Sequence, residues 1–132
     1  MTPTGTIKQA RTCYDHLAGQ LGVAVTEAMI TAGYLERAPG FGLTEAGLAW
    51  FPDALGIAPD SLFATRRPAA RSCLDWTERR PHLAGAAGAA LCGQFFDQGW
   101  VERSGQTRAV RVTEPGAISL HRLLAVEWPT GP

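Results

Sequence analysis

ARTCYD at 10–15 recurs as ARSCLD at 70–75, an offset of 60 residues, and this internal repeat constrains the fold more than any single motif. HLAG at 16–19 recurs at 82–85, an offset of 66, so the second copy holds six extra residues, WTERRP, between its acid and its histidine. The copies then align without gaps through GYLER at 33–37 and GWVER at 99–103, with Gly22 on Gly88, Ala24 on Ala90 and Met29 on Phe95. LTEAG at 43–47 meets VTEPG at 112–116 at an offset of 69, the turn before it being longer by three. A chain of 132 residues holds two such units and no third. Each half is too small to bury its apolar face alone, so the two are expected to share one core.

Each copy reads as helix, strand, turn, strand, helix. Leu17, Leu21, Val25, Ala28, Met29 and Ala32 follow helical spacing, predicting a helix over 16–32 that stops at Gly33. YLERA and FGLT flank a glycine-containing turn and predict a short two-stranded wing, after which Thr44 is the N-cap of a helix from Glu45 to Leu55, closed by Gly56. In the second copy the helix is expected from about Pro81 to Gln98, the strands near 100–104 and 109–113, and Thr113 as the cap of the last helix. The expected fold is therefore α+β: two tandem winged-helix-like repeats packed around a pseudo-twofold axis. They occupy 10–57 and 70–126, with a lead-in at 1–9, a linker at 58–69 and a tail at 127–132. Gly19, Gly22, Gly85 and Gly88 fall inside the first helices, where each costs about 1 kcal/mol relative to alanine. Close crossing of a helix on its partner or on the sheet is the expected compensation.

Charge and cysteine usage exclude several classes. Formal net charge is zero, so the chain lacks the basic footprint of a nucleic-acid coat protein. The zero conceals an asymmetry: residues 1–65 carry three basic and six acidic side chains, a net −3, and residues 66–132 carry nine and six, a net +3. An anion-facing surface is expected in the second half. Three cysteines, Cys13, Cys73 and Cys92, cannot all pair, and with no signal peptide and no membrane-spanning run a reducing cytoplasm is the expected location.

The reactive residues cluster around the repeated segment. Cys13-x-x-His16, with Asp15 adjacent, matches a second set at Cys73, Asp75 and His82. Packed symmetrically, Cys13, His16, Cys73 and His82 would offer two thiolates and two imidazoles to zinc or another thiophilic ion. The nine-residue spacing of Cys73 and His82 argues that the second copy presents its pair differently from the first. The plainer reading makes both cysteines small buried apolar residues, Thr12-x-x-Asp15 and Ser72-x-x-Asp75 capping boxes, and both histidines locally satisfied near helix starts. Tyr14, Asp15, Asp75, Trp76 and Trp100 are candidates to wall a ligand pocket at the interface of the halves, although most aromatics should be core. Neither helix preceding a wing contains lysine or arginine over 17–32 or 83–98, so neither resembles a recognition helix. DNA contact, if made, falls to Arg108 and Arg111 on the second wing. No oxyanion-hole loop or orienting triad surrounds Cys13 and His16, so an enzyme is not expected.

ARTCYDHLAGQLGVAV, CLDWTERRPHLAGAAGAAL and GWVERSGQTRAVRVTEPG together resemble the C-terminal domain of longer bacterial helix-turn-helix regulators of the ArsR type, from about Ala10 to Val126. The resemblance implies that an N-terminal winged helix, which this sequence does not include, binds DNA while the present domain regulates or supports it. It also implies metal or arsenical sensing through cysteine and histidine, which favours the Cys13, His16, Cys73 and His82 set. The expected function is thus the sensory or dimerising module of an ArsR-type transcriptional repressor, with a small-molecule or metal effector and a homodimer as possible partners. The alternatives are a stand-alone winged-helix protein that touches DNA through its second wing, and a metal or small-molecule binder with no part in transcription.

Overall fold

The computed structural model describes residues 6–38 and 40–129; the first five residues of the expected lead-in and the last three of the expected tail lie outside these. The structure is α+β, with four helices and small antiparallel hairpins, compatible with a winged-helix-like fold. The first half runs β1 (Arg11–Cys13), β2 (His16–Ala18), α1 (Gly19–Thr31), β3 (Leu35–Glu36), β4 (Gly42–Leu43) and α2 (Glu45–Leu55). After a 3-10 turn at Pro59–Phe63, the second runs β5 (Arg71–Leu74), β6 (Pro81–Ala84), α3 (Gly85–Asp97), β7 (Val101–Arg103), β8 (Val110–Val112) and α4 (Glu114–Leu124).

The later half of each unit forms as its sequence predicts. Thr44 and Thr113 accept from the backbone N–H groups of Gly47 and Gly116 at 2.9 and 3.1 Å, capping α2 and α4. Gly56 takes the left-handed conformation that closes α2, with φ of 67°. Leu21, Met29, Phe51, Phe95, Val101 and Leu120 are buried in one continuous core shared by both halves.

The first half of each unit corrects the sequence reading. HLA and PHLA are strands, and the helices begin at Gly19 and Gly85 rather than at His16 and Pro81. Thr12-x-x-Asp15 and Ser72-x-x-Asp75 therefore make no capping boxes, because both four-residue segments lie in hairpins. The helix starts are satisfied by backbone instead. Lys8 and Gln9 carbonyls accept from Gln20 and Leu21 at 3.0 and 2.8 Å, and Pro68 and Ala69 carbonyls accept from Ala86 and Ala87 at 2.9 and 2.7 Å. Such close approach needs glycine: Gly19 and Gly85 have φ of 73° and 81°, and a Cβ would lie 2.9 Å from the Lys8 oxygen and 2.7 Å from that of Pro68.

Helices and hairpins exchange partners between the halves. α1 packs on β6 and α3 packs on β2, so each helix covers the hairpin of the other unit. A Cβ on Gly22 would lie 3.5 Å from the His82 Cβ and one on Gly88 3.3 Å from the His16 Cβ, while both would strike the carbonyl of their own hairpin, at Leu17 or Leu83. Helix-on-hairpin crossing is the compensation for these two glycines. Thr26 adds a polar clasp, donating to the Gly22 carbonyl at 2.8 Å and accepting the Leu83 N–H at 2.8 Å. Gly22→Ala and Gly88→Ala are each expected to lower stability by about 1–3 kcal/mol in urea unfolding. Gly93→Ala, on the same helix with nothing within 4 Å of the new methyl, should raise it by up to about 1 kcal/mol.

Candidate metal centre

Cross-strand pairing settles how the cysteines and histidines are presented. In the first hairpin Cys13 faces His16, and in the second Cys73 faces His82. WTERRP adds one rung to the second hairpin, Leu74 opposite Pro81, and enlarges its loop, while Cys73 stays opposite His82 as Cys13 is opposite His16. The expectation that nine-residue spacing would present the second pair differently is thereby overturned. Because each hairpin lies under the other unit's helix, the two pairs converge: one ligand atom from each of Cys13, His16, Cys73 and His82 lies within 4.8 Å of the others. The two imidazole centroids are 4.9 Å apart.

Both imidazoles are buried and short of partners. His82 Nδ1 lies 2.9 Å from Asp75 Oδ2, and since an ionised carboxylate only accepts, Nδ1 carries the proton and Nε2 is left with a free lone pair. Among the described residues His82 Nε2 has no hydrogen-bond partner, and neither does either nitrogen of His16, whose Nδ1 approaches Asp15 Oδ1 only to 3.5 Å. The reading of both histidines as locally satisfied fails for this reason. Burial pushes both imidazoles below their ordinary value, helped at His16 by the neighbouring His82 and opposed at His82 by the bond to Asp75. Neutral rings are the form that binds a metal. Cys13 and Cys73 are half-buried and free, not sealed in the core as expected. The Cys73 thiol is pushed up by burial and then by the adjacent Cys13. Cys92 belongs to the core, and burial pushes its thiol up to about 12.

Asp75 anchors one side of this centre. Its carboxylate is fully buried and accepts from the Gly19 N–H at 2.6 Å, the Thr77 hydroxyl at 2.8 Å, the Thr77 and Glu78 N–H groups at 3.1 Å and Arg11 Nη2 at 3.1 Å. Burial alone would raise this carboxyl, but the bonds from Gly19, Thr77 and Glu78 and the charge of Arg11 outweigh it and hold it well below the usual carboxylate range. Arg11 is itself fully buried, bonded to the Ile7 carbonyl at 2.8 Å and covered by the Trp76 ring at 4.7 Å. The counterpart of Asp75, Asp15, is half-exposed and held by linker Arg67 at 2.7 Å; that bond lowers its carboxyl. Sequence reasoning missed Arg11, Thr77 and Arg67. The unmatched WTERRP segment was the available signal for the first two, since it supplies the Asx turn and the tryptophan that enclose Arg11.

The expected ligand-pocket residues differ widely in exposure. Tyr14 is 91% exposed and Trp76 63%, whereas Asp75 is fully buried and Trp100 packs edge-on against Phe95 at 5.2 Å. One cavity between the halves, lined by Leu17, Val25, Leu83 and Leu91, has a volume of about 10 Å³, too small for an organic molecule. Of the two wing arginines, Arg111 is ion-paired with Glu102, while Arg108 carries no ion pair among the described residues. No helix among the described residues is long and apolar enough to cross a membrane.

Over 119 residues the chain is 41% identical to an uncharacterized HTH-type transcriptional regulator, YdfF, of Bacillus subtilis (strain 168). The match takes in 89% of the present chain but 52% of that protein, so the chain spans about half the length of the curated relative it matches. No protein-family profile and no solved structure matches the chain.

The buried imidazoles make stability pH-dependent. Below the ordinary value of 6.5, the unfolded chain takes up protons that folded His16 and His82 refuse. Metal-free protein should therefore lose stability as pH falls through about 6.5, seen as a lower urea midpoint at about pH 5.5 than at about pH 7.5. Asp75 adds to the loss only at much lower pH, in the same direction, since its depressed carboxyl contributes stability that disappears as it protonates. His82→Asn should flatten the slope between those two values.

Proposed function

We propose that this chain, homologous to a helix-turn-helix transcriptional regulator, is the sensory module of an ArsR-type repressor, and that its effector is a thiophilic divalent metal ion of the zinc class. Cys13, His16, Cys73 and His82 would hold the ion. The observation that carries the reading is the convergence of these four donors within 4.8 Å, with two buried imidazole Nε2 atoms lacking any other partner. Two thiolates and two imidazoles satisfy the four-coordinate preference of zinc and select against hard oxygen-seeking cations. A tetrahedron with bonds of about 2.0–2.3 Å has edges of roughly 3.3–3.8 Å, so a contraction of about 1 Å closes the set. Asp75 fixes the tautomer of His82, and Asp15 is the nearest acceptor for His16 Nδ1–H, as outer partners of metal-bound histidines do.

In this reading the two halves are copies of one winged-helix-like unit related by a pseudo-twofold axis, supported by the repeated element order and by the reciprocal contacts of α1 with β6 and α3 with β2. Each half gives one cysteine and one histidine, so a bound ion ties the halves together. Its binding energy becomes a constraint on their mutual arrangement, which is what a regulatory module transmits. The role of DNA binding falls to the part of the regulator outside this chain.

Protein purified without chelator is expected to contain close to one zinc per chain by elemental analysis. Cobalt substitution should give the visible absorption of a tetrahedral thiolate site. Cys13→Ser and Cys73→Ser should each abolish that spectrum and weaken binding by more than the roughly 10–100-fold typical of losing an outer partner. Zinc should raise the melting temperature of the native chain in a concentration-dependent way and leave the serine variants unmoved. Metal-free protein that ignores added zinc and cobalt would end the proposal.

A further inference from the structure

A second concave site lies on the face where the first hairpin meets the second wing. β8 and the residues before it dock on β1 through backbone bonds: Thr12 N–H to the Arg108 carbonyl at 2.9 Å, and Val110 N–H to the Ala10 carbonyl at 3.0 Å. An Arg11–Ala109 bridge continues the pairing. The hollow they enclose has a volume of about 690 Å³ and is lined by Thr12, Tyr14, Arg103, Gln106, Thr107 and Arg108. It is open to solvent, shares no lining residue with the cysteine–histidine cluster, and has no acidic side chain in its lining.

Three features of the lining point to a ligand. Arg103 is built in place: its guanidinium lies 5.0 Å over the Phe96 ring and donates from Nη1 to the Thr12 hydroxyl at 2.8 Å. Neither Arg103 nor Arg108 has an ion-pair partner among the described residues, because the nearby carboxylates are engaged elsewhere, Glu102 with Arg111 and Asp15 with Arg67. Two guanidiniums in one hollow without a counter-charge form a site for an oxyanion. The third feature is Tyr14, which is 91% exposed at the two-residue turn between β1 and β2, the turn that sets its φ of 57°. The ring gains little from burial in the protein and lines the positive hollow, where a flat ligand would stack on it.

We propose that this hollow binds a small aromatic oxyanion, its carboxylate or phosphate held by Arg103 and Arg108 and its flat ring laid against Tyr14. Thr12, Gln106 and Thr107 supply the remaining hydrogen-bonding groups. The arrangement separates two halves of the recognition, charge from the arginines and planarity from the tyrosine, and each can be tested alone.

The experiment titrates the full chain at low salt with salicylate, adenosine monophosphate, cyclohexanecarboxylate, inorganic phosphate and a short duplex DNA, followed by calorimetry and by Tyr14 chemical shifts. Salicylate or adenosine monophosphate is expected to bind with Kd below about 1 mM. Its ring-free counterpart, cyclohexanecarboxylate or phosphate, should bind at least tenfold more weakly. Arg108→Gln should weaken aromatic binding at least tenfold with the fold intact, since only the Arg108 backbone carbonyl bonds to β1. Tyr14→Ala should erase the preference for the ring and leave phosphate binding unchanged. The proposal is overturned if neither aromatic anion binds, if ring-free anions bind equally well, if Arg108→Gln has no effect, or if duplex DNA alone binds through Arg108.

Discussion

The arrangement depends on one buried carboxylate. Asp75 belongs to the second unit, yet three of its contacts organise the junction: the Gly19 N–H at the start of α1, the Arg11 guanidinium at the start of β1, and the His82 ring in the cysteine–histidine cluster. A carboxylate stripped of water is costly unless every lone pair is satisfied and a positive charge is close. Here backbone N–H groups, a hydroxyl and an arginine do both, so the group stays ionised while buried. Leaving Arg11 buried without this partner would cost about 3–5 kcal/mol, the usual penalty for breaking a buried pair. The same side chain thus joins the units and orients one histidine of the cysteine–histidine cluster.

The two units are not equivalent at this point. WTERRP gives the second hairpin a loop long enough to make an Asx turn on Thr77 and Glu78 and to lay Trp76 over Arg11. Asp15, on the short loop of the first hairpin, has only the linker arginine and a distant approach to His16. His82 is therefore firmly oriented and His16 loosely. Metal bound at His16 Nε2 would make the Nδ1 proton an obligatory donor toward Asp15, which already holds Arg67, so the more weakly fixed half of the centre is the one in contact with the inter-unit linker.

Much of the fold was legible because it is local. The wings, Thr44 and Thr113 as caps, and Gly56 as a terminator follow from residues within a few positions of one another. The strands HLA and PHLA were not legible, since both are short and apolar and run directly into helices of similar composition. Leu17 fits the helical period as well as a buried strand does. The helix starts carry no side-chain cap, because Lys8, Gln9, Pro68 and Ala69 satisfy them from ten or more residues away. Cys13, His16, Cys73 and His82 were identifiable as one set from the repeat, but their convergence was not: it follows from each hairpin lying beneath the other unit's helix.

The sequence by itself determined that one α+β pattern occurs twice, that each copy holds a cysteine, an acid and a histidine, and that the second half carries the positive charge. These are properties of composition and spacing, and folding does not change them. Tertiary structure decided which groups became a site. It brought two hairpins together so that cross-strand pairs face one another, buried Arg11 and Asp75 together, and left Arg103 and Arg108 without ion-pair partners among the described residues. The physical reason is that burial and charge pairing depend on contacts between residues some sixty positions apart, and no local pattern specifies which of several similar side chains will meet.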